Sequence, residues 1–248
     1  MLKYLACSDI QFPLHDRRAV ELWMSVLKYF KPDLVDLVGD IDNADSTSRW
    51  AVGTPDAVVP ISDAGARDTR QFLKDVRVAG KRNSDIHLYD GNHGWTRHES
   101  YILKNAPAMI EEVSADSLYE YSKVGIQWHR YDDLPFNRFN DMYIHHGNAV
   151  SKHSGESVKA DMDSWGVSLI RGHSHRLGSY LKTYELTGQE LEGYEIGHLM
   201  DVKQVTYTNV RNWQQGFLYG YIDEDQHHLS LVQIKNYACF VDGKKFTN

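Results

Sequence analysis

The sequence predicts an α/β protein whose core is a parallel β-sheet. Residues 3–7 and 34–38 are two short, mainly apolar runs with the length of a buried strand. Between them, apolar residues recur with the period of one helix face: Ala19, Leu22, Trp23, Val26, Leu27 and Phe30. Asp16 is placed to cap this helix and Pro32 to end it. Strand, helix and strand at this spacing predict a βαβ unit with a right-handed crossover.

Further elements follow along the chain. We expect helices over 64–81, over 99–124 with a break at Pro107, and around 158–165, and strands over 85–89, 125–131, 140–145 and 166–170. The last third is β-rich over 180–186, 217–223 and 228–234, which predicts an antiparallel sheet that closes the fold. Since no repeat or linker divides the chain, we expect a single domain of residues 1–248.

Composition narrows the classes of protein to which the chain can belong. Of its 248 residues, 42% are hydrophobic and 25% are charged, as in an ordinary globular protein, and no run approaches the ~20 apolar residues of a membrane span. The N-terminus lacks signal-peptide features, and the two cysteines, Cys7 and Cys239, are expected to be buried thiols. We therefore expect no membrane association and a cytoplasmic location, in the host cytoplasm if the protein is virally encoded.

The charge of the chain bears on its partners. Its formal net charge is −7 and it has no block of lysine or arginine, whereas a protein that tracks along duplex DNA usually carries a basic face. Two bound divalent cations would not make it basic. Thirteen histidines are many for this length, and they direct attention to metal chemistry.

Side chains that can bind metal ions follow five of the predicted strands. The segments are 9–11 (Asp-Ile-Gln), 39–43 (Gly-Asp-Ile-Asp-Asn), 91–93 (Gly-Asn-His), 146–147 (His-Gly) and 172–175 (Gly-His-Ser-His). The last segment puts two imidazoles on a tight turn, which suits two adjacent metal ions. In α/β sheets, ligands bind beyond the carboxyl ends of the strands. Each motif alone is weak, but five in this order predict a metal site at that edge.

This ordered set resembles the calcineurin-like metallophosphoesterase superfamily, whose pattern is DxH, GDxx(D/N), GN(H), a later HG, and GHxH. The resemblance covers residues 9–175, about two-thirds of the chain, and the segment 212–217 looks like members found in phage and prophage genomes. It implies a four-layer α/β/β/α sandwich with two mixed β-sheets. It also implies a metal-dependent phosphoesterase activity.

The resemblance implies which residues hold two divalent metal ions. One ion would be bound by Asp9, Gln11, Asp40 and His175, and the other by Asp40, Asn92, His146 and His173. The shared aspartate would hold the ions ~3.5–4 Å apart around a bridging hydroxide, which attacks the phosphorus. His93 would be the catalytic histidine that acts on the leaving-group oxygen.

Two departures from the family pattern bear on function. Gln11 stands where the family has a histidine. Its amide oxygen is a harder and weaker metal ligand than an imidazole nitrogen. We therefore expect the bound metal to be Mn²⁺, with Mg²⁺, Fe²⁺, Ni²⁺ or Zn²⁺ as alternatives. Asn43 stands where the protein-phosphatase branch has an aspartate that orients the catalytic histidine, and Ala44 and Asp45 follow it in place of Arg-Gly. The second departure favours a phosphodiesterase over a phosphoprotein phosphatase.

We therefore predict a two-metal phosphodiesterase that hydrolyses nucleotide or small nucleic-acid phosphodiesters and has no obligate protein partner. Two alternatives stay open. One is a DNA or RNA nuclease of the SbcD/Mre11-like type. The other is a catalytically impaired scaffold that keeps the fold in order to bind a partner, which is the alternative that Gln11 supports.

Several residues near the motifs have both a functional and a structural interpretation. Arg97 and Arg176 follow the GNH and GHSH turns and are candidates for binding a substrate phosphate, or they are solvated loop residues. Trp95 and His98 could stack on a nucleobase or pack beneath their loop. His145 is expected to be structural, because neighbouring strand residues point to opposite faces.

Overall fold

The structure is a computed structural model that describes residues 1–63, 65–205 and 211–248, and these form thirteen β-strands and five α-helices. The strands are β1 (Leu2–Cys7), β2 (Leu34–Val38), β3 (Asp85–Tyr89), β4 (Gln127–His129), β5 (Phe136–Phe139), β6 (Met142–Ile144), β7 (Ser168–Arg171), β8 (Leu177–Thr183), β9 (Glu190–Ile196), β10 (Gly216–Ile222), β11 (His227–Gln233), β12 (Ala238–Val241) and β13 (Lys244–Thr247). The helices are α1 (Arg17–Phe30), α2 (Gly65–Ala79), α3 (Gly94–Asn105), α4 (Ala115–Tyr119) and α5 (Glu156–Trp165). Among the described helices, none combines the length and apolar content needed to cross a bilayer.

The strands build two mixed sheets and one small pair. The six-stranded sheet has the order β11-β10-β1-β2-β3-β4. In it, β1 to β4 are parallel, β10 is antiparallel to β1, and β11 is antiparallel to β10. The five-stranded sheet has the order β5-β6-β7-β9-β8, in which β6, β7 and β9 are parallel and the two edge strands are antiparallel. β12 and β13 pair with each other.

Three apolar clusters separate the layers of the fold. The first lies between the helices α1 to α4 and the six-stranded sheet and includes Trp23 of α1 and Leu37 of β2. The second lies between the two sheets and includes Leu218 from one and Ile170 from the other. The third lies beneath α5, which contributes Met162. The layers therefore run helix, sheet, sheet, helix, and the four-layer sandwich implied by the family resemblance is confirmed.

The predicted βαβ unit is present at the start of the chain. β1 and β2 pair in parallel over residues 4–7 and 34–37. Asp16 caps α1, because its carboxylate accepts the backbone N–H groups of Arg18 at 3.0 Å and of Ala19 at 3.3 Å. The crossover brings the carboxyl ends of the two strands side by side, where the first two ligand segments begin.

The region 99–124 is less helical than its composition predicts. α3 begins earlier, directly after His93, and it ends before Pro107 because the residue that precedes a proline is disfavoured in helical conformation. A short 3₁₀ turn, Pro107–Met109, follows, and α-helical structure resumes at α4, which Ser114 caps. The expected first residue of α2, Ala64, lies outside the described residues.

The prediction of one closing antiparallel sheet is wrong. β8 pairs with β9 in the five-stranded sheet, whereas β10 and β11 extend the six-stranded sheet beside β1. The strands β5, β9, β12 and β13 were not expected either. The sequence does not predict β9 because its three glutamates interrupt the apolar pattern expected of a buried strand. One of these, Glu195, is fully buried, since its carboxylate accepts the N–H groups of Gly155 and Val158 at the start of α5.

A buried charge network ties the two sheets together. Arg138 of β5 places its Nε 3.0 Å from Oδ1 of Asp36 on β2, and its Nη1 donates to Oδ2 of Asp85 at 2.6 Å. The hydroxyl of Tyr4 donates to the other oxygen of Asp36 at 2.8 Å. Burial raises the pKa of the Asp36 carboxyl, although Arg138 and Tyr4 oppose the shift. The charge on this carboxylate therefore depends on its partners.

Replacing this cation should destabilise the fold. Arg138→Ala is expected to lower the free energy of unfolding by about 3–5 kcal/mol, because it leaves Asp36 buried without a cation. Denaturant unfolding measures the change. Arg17→Ala is the matched control, since its solvent-exposed pair with Glu21 contributes little to stability. Equal losses in the two variants would contradict a stabilising role for the cross-sheet pair.

Candidate metal centre

The five predicted ligand segments meet where the two sheets face each other. Each follows the carboxyl end of a parallel strand: β1, β2 and β3 in one sheet, and β6 and β7 in the other. The backbone N–H of Asp9 donates to the Gly39 carbonyl at 3.1 Å, and that of Gly172 donates to the His146 carbonyl at 3.1 Å. Between the sheets, the N–H of His173 donates to Asp9 Oδ2 at 3.0 Å. These turns form one cluster.

Five of the predicted ligands have a left-handed backbone conformation. Their φ angles are +52° at Asp9, +53° at Gln11, +49° at Asp40, +66° at His173 and +58° at His175. Residues other than glycine rarely adopt this conformation, and the surrounding structure has to hold the strain where they do. Five such residues among the predicted ligands indicate that the backbone is shaped to direct these side chains into the site.

Two glycines allow the turns to approach each other closely. A Cβ on Gly91 would lie 1.9 Å from Asp40 Oδ1, and a Cβ on Gly172 would lie 1.8 Å from Ser8 Oγ and 2.5 Å from Asp9 Oδ2. Any side chain at either position would displace a carboxylate. The glycines of the GNH and GHSH motifs are therefore steric requirements of the site.

Asp40, His146 and His173 form a group that could hold a metal ion, since one ligand atom from each lies within 4.8 Å of the others. His146 donates from Nδ1 to the Val38 carbonyl at 2.8 Å, which leaves its Nε2 facing Asp40 Oδ2 at 3.2 Å. When the His146 ring is neutral, its Nε2 and Asp40 Oδ2 are both hydrogen-bond acceptors, so a proton or a cation has to lie between them. Within the described residues, the buried Oδ1 of Asn92 has no hydrogen-bond partner, which fits a fourth ligand.

A second group surrounds Asp9, which is fully buried. Its Oδ1 lies 3.1 Å from His175 Nε2 and 4.0 Å from His146 Nε2. Both amide atoms of Gln11 are buried, and neither has a hydrogen-bond partner in the part of the chain that the structure describes. An unpaired buried polar group costs roughly 1–3 kcal/mol, so the amide oxygen is suited to a cation. The residues that the resemblance assigns to the first ion therefore fit that role.

The charges in the centre compensate one another. Burial by itself raises the pKa of the Asp40 carboxyl, but His146 and His93 outweigh it and hold that pKa well below its usual range. Burial lowers the pKa of His146, but Asp40 and Asp9 outweigh it and raise that pKa to about 9. Burial and the neighbouring His146 lower the pKa of His173 to about 3. In the metal-free protein, a proton on His146 therefore balances the carboxylates.

The predicted catalytic histidine is hydrogen-bonded to its predicted orienting residue. His93 Nδ1 lies 2.7 Å from Asn43 Oδ1, and the His93 backbone N–H donates to Asp40 Oδ1 at 2.9 Å. Because an amide oxygen can only accept, Nδ1 carries the hydrogen. Burial lowers the pKa of His93 to about 4, although Asp40 opposes the shift, so the ring is neutral at pH 7.

The two predicted substrate-binding arginines lie next to site residues and bond to backbone carbonyls. Arg97 is half-buried, and its Nη1 donates to the carbonyl of Asn43 at 2.8 Å. Arg176 is buried, and its Nη1 donates to the carbonyl of Ser174 at 3.0 Å. Their part in binding a substrate stays a prediction.

Trp95, His98 and His145 have structural surroundings. Trp95 is buried in the apolar cluster beneath the helices. His98 is buried and lies 2.9 Å from the hydroxyl of Thr47. His145 accepts the Gly147 N–H at its Nδ1 at 2.8 Å, which steadies the HG turn. The first two therefore pack beneath their loop and do not form an open stacking surface.

Arg171 and Asp161 support the site, but the sequence motifs do not identify them. Arg171 is fully buried, and its Nη1 donates to Asp161 Oδ2 at 2.7 Å. The Asp161 carboxylate also accepts the backbone N–H groups of Asn148 at 3.1 Å and Ala149 at 3.2 Å. The pair thus fixes the turn after His146 against the strand that leads to the GHSH motif. The sequence signal that could have identified this pair is Arg171 itself, a charged residue at the end of an apolar strand.

Two phage proteins are similar to this chain over nearly their whole length. The protein named "Gene 54 protein" of Mycobacterium phage L5 is 29% identical over 256 residues, which covers 98% of this chain and 97% of the relative. Its namesake in Mycobacterium phage D29 is 28% identical over 257 residues, with 97% of each covered. No protein-family model matches the chain. These relatives indicate that phages encode proteins of this kind, and their names state no activity.

Solved structures resemble the chain in fold. Vps29 from Chaetomium thermophilum superimposes with a TM-score of 0.51 at 10% identity, covering 95% of this chain and 87% of that protein. Lower overlaps occur with Zn²⁺-complexed Vps29 from Entamoeba histolytica (TM-score 0.48, 13% identity, 98% and 96% covered) and with YfcE, described as a phosphoesterase from E. coli (0.41, 11%, 96% and 91%). The predicted fold class, an α/β sandwich of the metallophosphoesterase type, is confirmed.

Metal binding should strengthen as the pH rises. A pKa of about 9 leaves His146 protonated at pH 7, so a metal ion must displace that proton before it can bind Nε2. The apparent affinity for Mn²⁺ should rise about tenfold per pH unit from pH 6 to pH 8, with about one proton released. Calorimetry in two buffers of different ionisation enthalpy measures both quantities. Equal affinities at pH 6 and pH 8 would contradict the expectation.

Proposed function

We propose that this protein is a metal-dependent phosphodiesterase that hydrolyses nucleotide or small nucleic-acid phosphodiesters. The observation that carries the proposal is the convergence of two buried carboxylates, three imidazoles and two amides at one edge of the sheets, beside an oriented histidine. Several of their buried polar atoms have no hydrogen-bond partner among the described residues: Asp9 Oδ1, both amide atoms of Gln11, Asn92 Oδ1 and His146 Nε2. Such a centre suits an anionic ester held through cations.

The chain's own residues would hold two divalent ions. Asp9, Gln11, Asp40 and His175 would bind one, and Asp40, Asn92, His146 and His173 would bind the other. When bound, such ions activate water and neutralise charge on the phosphoryl oxygens. Because oxygen atoms dominate the donor set around Asp9, Mn²⁺ or Mg²⁺ suits that position better than Zn²⁺ does.

His93 would act on the leaving group. Its Nδ1–H is engaged by Asn43, so Nε2 is the nitrogen left for the substrate. The ring is neutral in the substrate-free protein because burial lowers the pKa of His93 to about 4. The negative charge of a bound diester would raise that pKa and favour a proton on Nε2. His93 would then pass this proton to the departing oxygen.

Charge supports a small diester as the substrate. A net charge of −7 with no basic block offers little attraction to a long polyanion. Position 43 carries a neutral amide in place of the carboxylate of the protein-phosphatase branch, and an amide stabilises an imidazolium less than a carboxylate does. The first feature favours a small substrate, and the second favours a reacting phosphorus with a single negative charge.

The decisive measurement compares a diester with a monoester. Protein that has been treated with a chelator and reloaded with Mn²⁺ should hydrolyse bis-(p-nitrophenyl) phosphate faster than p-nitrophenyl phosphate. For a diester whose leaving group is phenol, which needs a proton donor, His93→Ala should lower kcat by about 10²- to 10⁴-fold without loss of bound metal, because it removes that donor. His228→Ala is the matched control, since it removes an exposed histidine of β11 and should leave kcat unchanged.

Other results would favour the other functions. Preference for the monoester would indicate a phosphatase. Cleavage of labelled single- and double-stranded oligonucleotides, with a steep dependence on salt, would favour the SbcD/Mre11-like nuclease. Stoichiometric metal without turnover of any phosphoester would favour the binding scaffold.

A further inference from the structure

Asp45 lies behind the Asn43–His93 pair. It begins a short 3₁₀ turn, Asp45–Thr47, and its Oδ1 is 2.5 Å from Asn43 Nδ2. On the other side of the same amide, Asn43 Oδ1 is 2.7 Å from His93 Nδ1. The three side chains form a continuous path from carboxylate to amide to imidazole, and this path ends at the proposed catalytic histidine.

The local backbone is shaped to make this path. Ala44, between Asn43 and Asp45, has a left-handed conformation with φ of +51°, and its N–H donates to Asp42 Oδ1 at 2.9 Å. This turn brings two side chains that are two residues apart within hydrogen-bond distance. Arg97 holds the same turn from the helix side, since its Nη1 donates to the Asn43 carbonyl at 2.8 Å.

Hydrogen-bond chemistry gives the path a direction. An ionised carboxylate can only accept, so the NH₂ group of Asn43 faces Asp45 and its oxygen faces His93. That oxygen can also only accept, so Nδ1 of His93 carries the hydrogen and Nε2 is left for the substrate. Without Asp45, the amide could turn over and offer its NH₂ group to the ring. Nδ1 would then have to be bare, and the hydrogen would move to Nε2.

We propose that Asp45 is a positioning residue for His93, and that the Asn43–Asp45 pair does here what a single carboxylate does in the protein-phosphatase branch. The inference rests on the proposed phosphodiesterase function. Asp45 contacts neither the substrate nor a metal ligand, and it acts by orienting and polarising the amide of Asn43. Its charge lies one side chain farther from the ring than a carboxylate at position 43 would. The ring is thereby oriented without another anion beside Asp40.

The test uses the full-length, Mn²⁺-loaded protein and two aryl methyl phosphates. One ester has p-nitrophenol as its leaving group, which needs little help to depart, and the other has phenol, which needs a proton donor. Asp45→Ala should lower kcat for the phenyl ester by about 10- to 100-fold and for the p-nitrophenyl ester by less than about threefold. KM and bound Mn²⁺ should stay unchanged. Asp56→Ala, at an exposed carboxylate of the same loop, is the matched control.

A charge exchange provides the rescue. Asn43→Asp alone would place two carboxylates within hydrogen-bond distance of each other and should impair turnover of the phenyl ester. The double variant Asn43→Asp/Asp45→Asn should recover most of that rate, because the new amide can donate to the new carboxylate. An equal loss for both esters together with loss of Mn²⁺, or no recovery in the double variant, would overturn the proposal.

A second readout does not depend on activity. Long-range ¹H–¹⁵N spectra report which ring nitrogen carries the hydrogen, and His93→Ala identifies the signals of His93. We expect the hydrogen on Nδ1 in the unsubstituted protein and a shift towards Nε2 in Asp45→Ala. An unchanged tautomer in Asp45→Ala would overturn the role of Asp45 even in an active enzyme. If no diester is hydrolysed by the unsubstituted protein, the proposed function fails, and the spectra still decide the role of Asp45.

Discussion

The burial of two carboxylates against imidazoles is the constraint on which this structure depends. Asp9 and Asp40 are only 0% and 2% exposed, and charges removed from water to this extent must be neutralised nearby. His146 lies between them and is the side chain whose pKa their field raises. A proton can satisfy this demand, and metal ions could satisfy it better, because they could also bind the unpaired amide oxygens of Gln11 and Asn92.

The rest of the fold serves to keep those groups together. Neither sheet contains the centre alone, since one contributes both carboxylates and the other contributes three histidines. Buried ion pairs hold the parts in register: Arg138 with Asp36 joins the sheets, and Arg171 with Asp161 fixes the turn after His146. Strained turns and glycines without room for a Cβ then bring the ligand atoms close, so the stability of the packed sheets maintains local strain at the site.

Oriented neutral groups surround this charged centre. His93 is neutral at pH 7 in the substrate-free protein, and its neighbour Asn43 is an amide with a carboxylate behind it. In the function proposed above, a proton donor that becomes charged only when an anionic ester binds would not repel bound cations beforehand. A charged centre beside a neutral, oriented histidine would suit the single negative charge of a phosphodiester.

Local sequence patterns determined much of this protein. The period of apolar residues predicted α1, short apolar runs predicted the strands β1, β2 and β3, and the ordered motifs identified the residues that meet at the edge of the sheets. Tertiary structure alone decided which sheet received β8 to β11, why Glu195 and Arg171 are buried, and that Arg138 reaches Asp36. The physical reason is that periodicity and capping report interactions between near neighbours in sequence. Strand partners and buried charge pairs depend instead on contacts between distant segments, which exist only once the chain has folded.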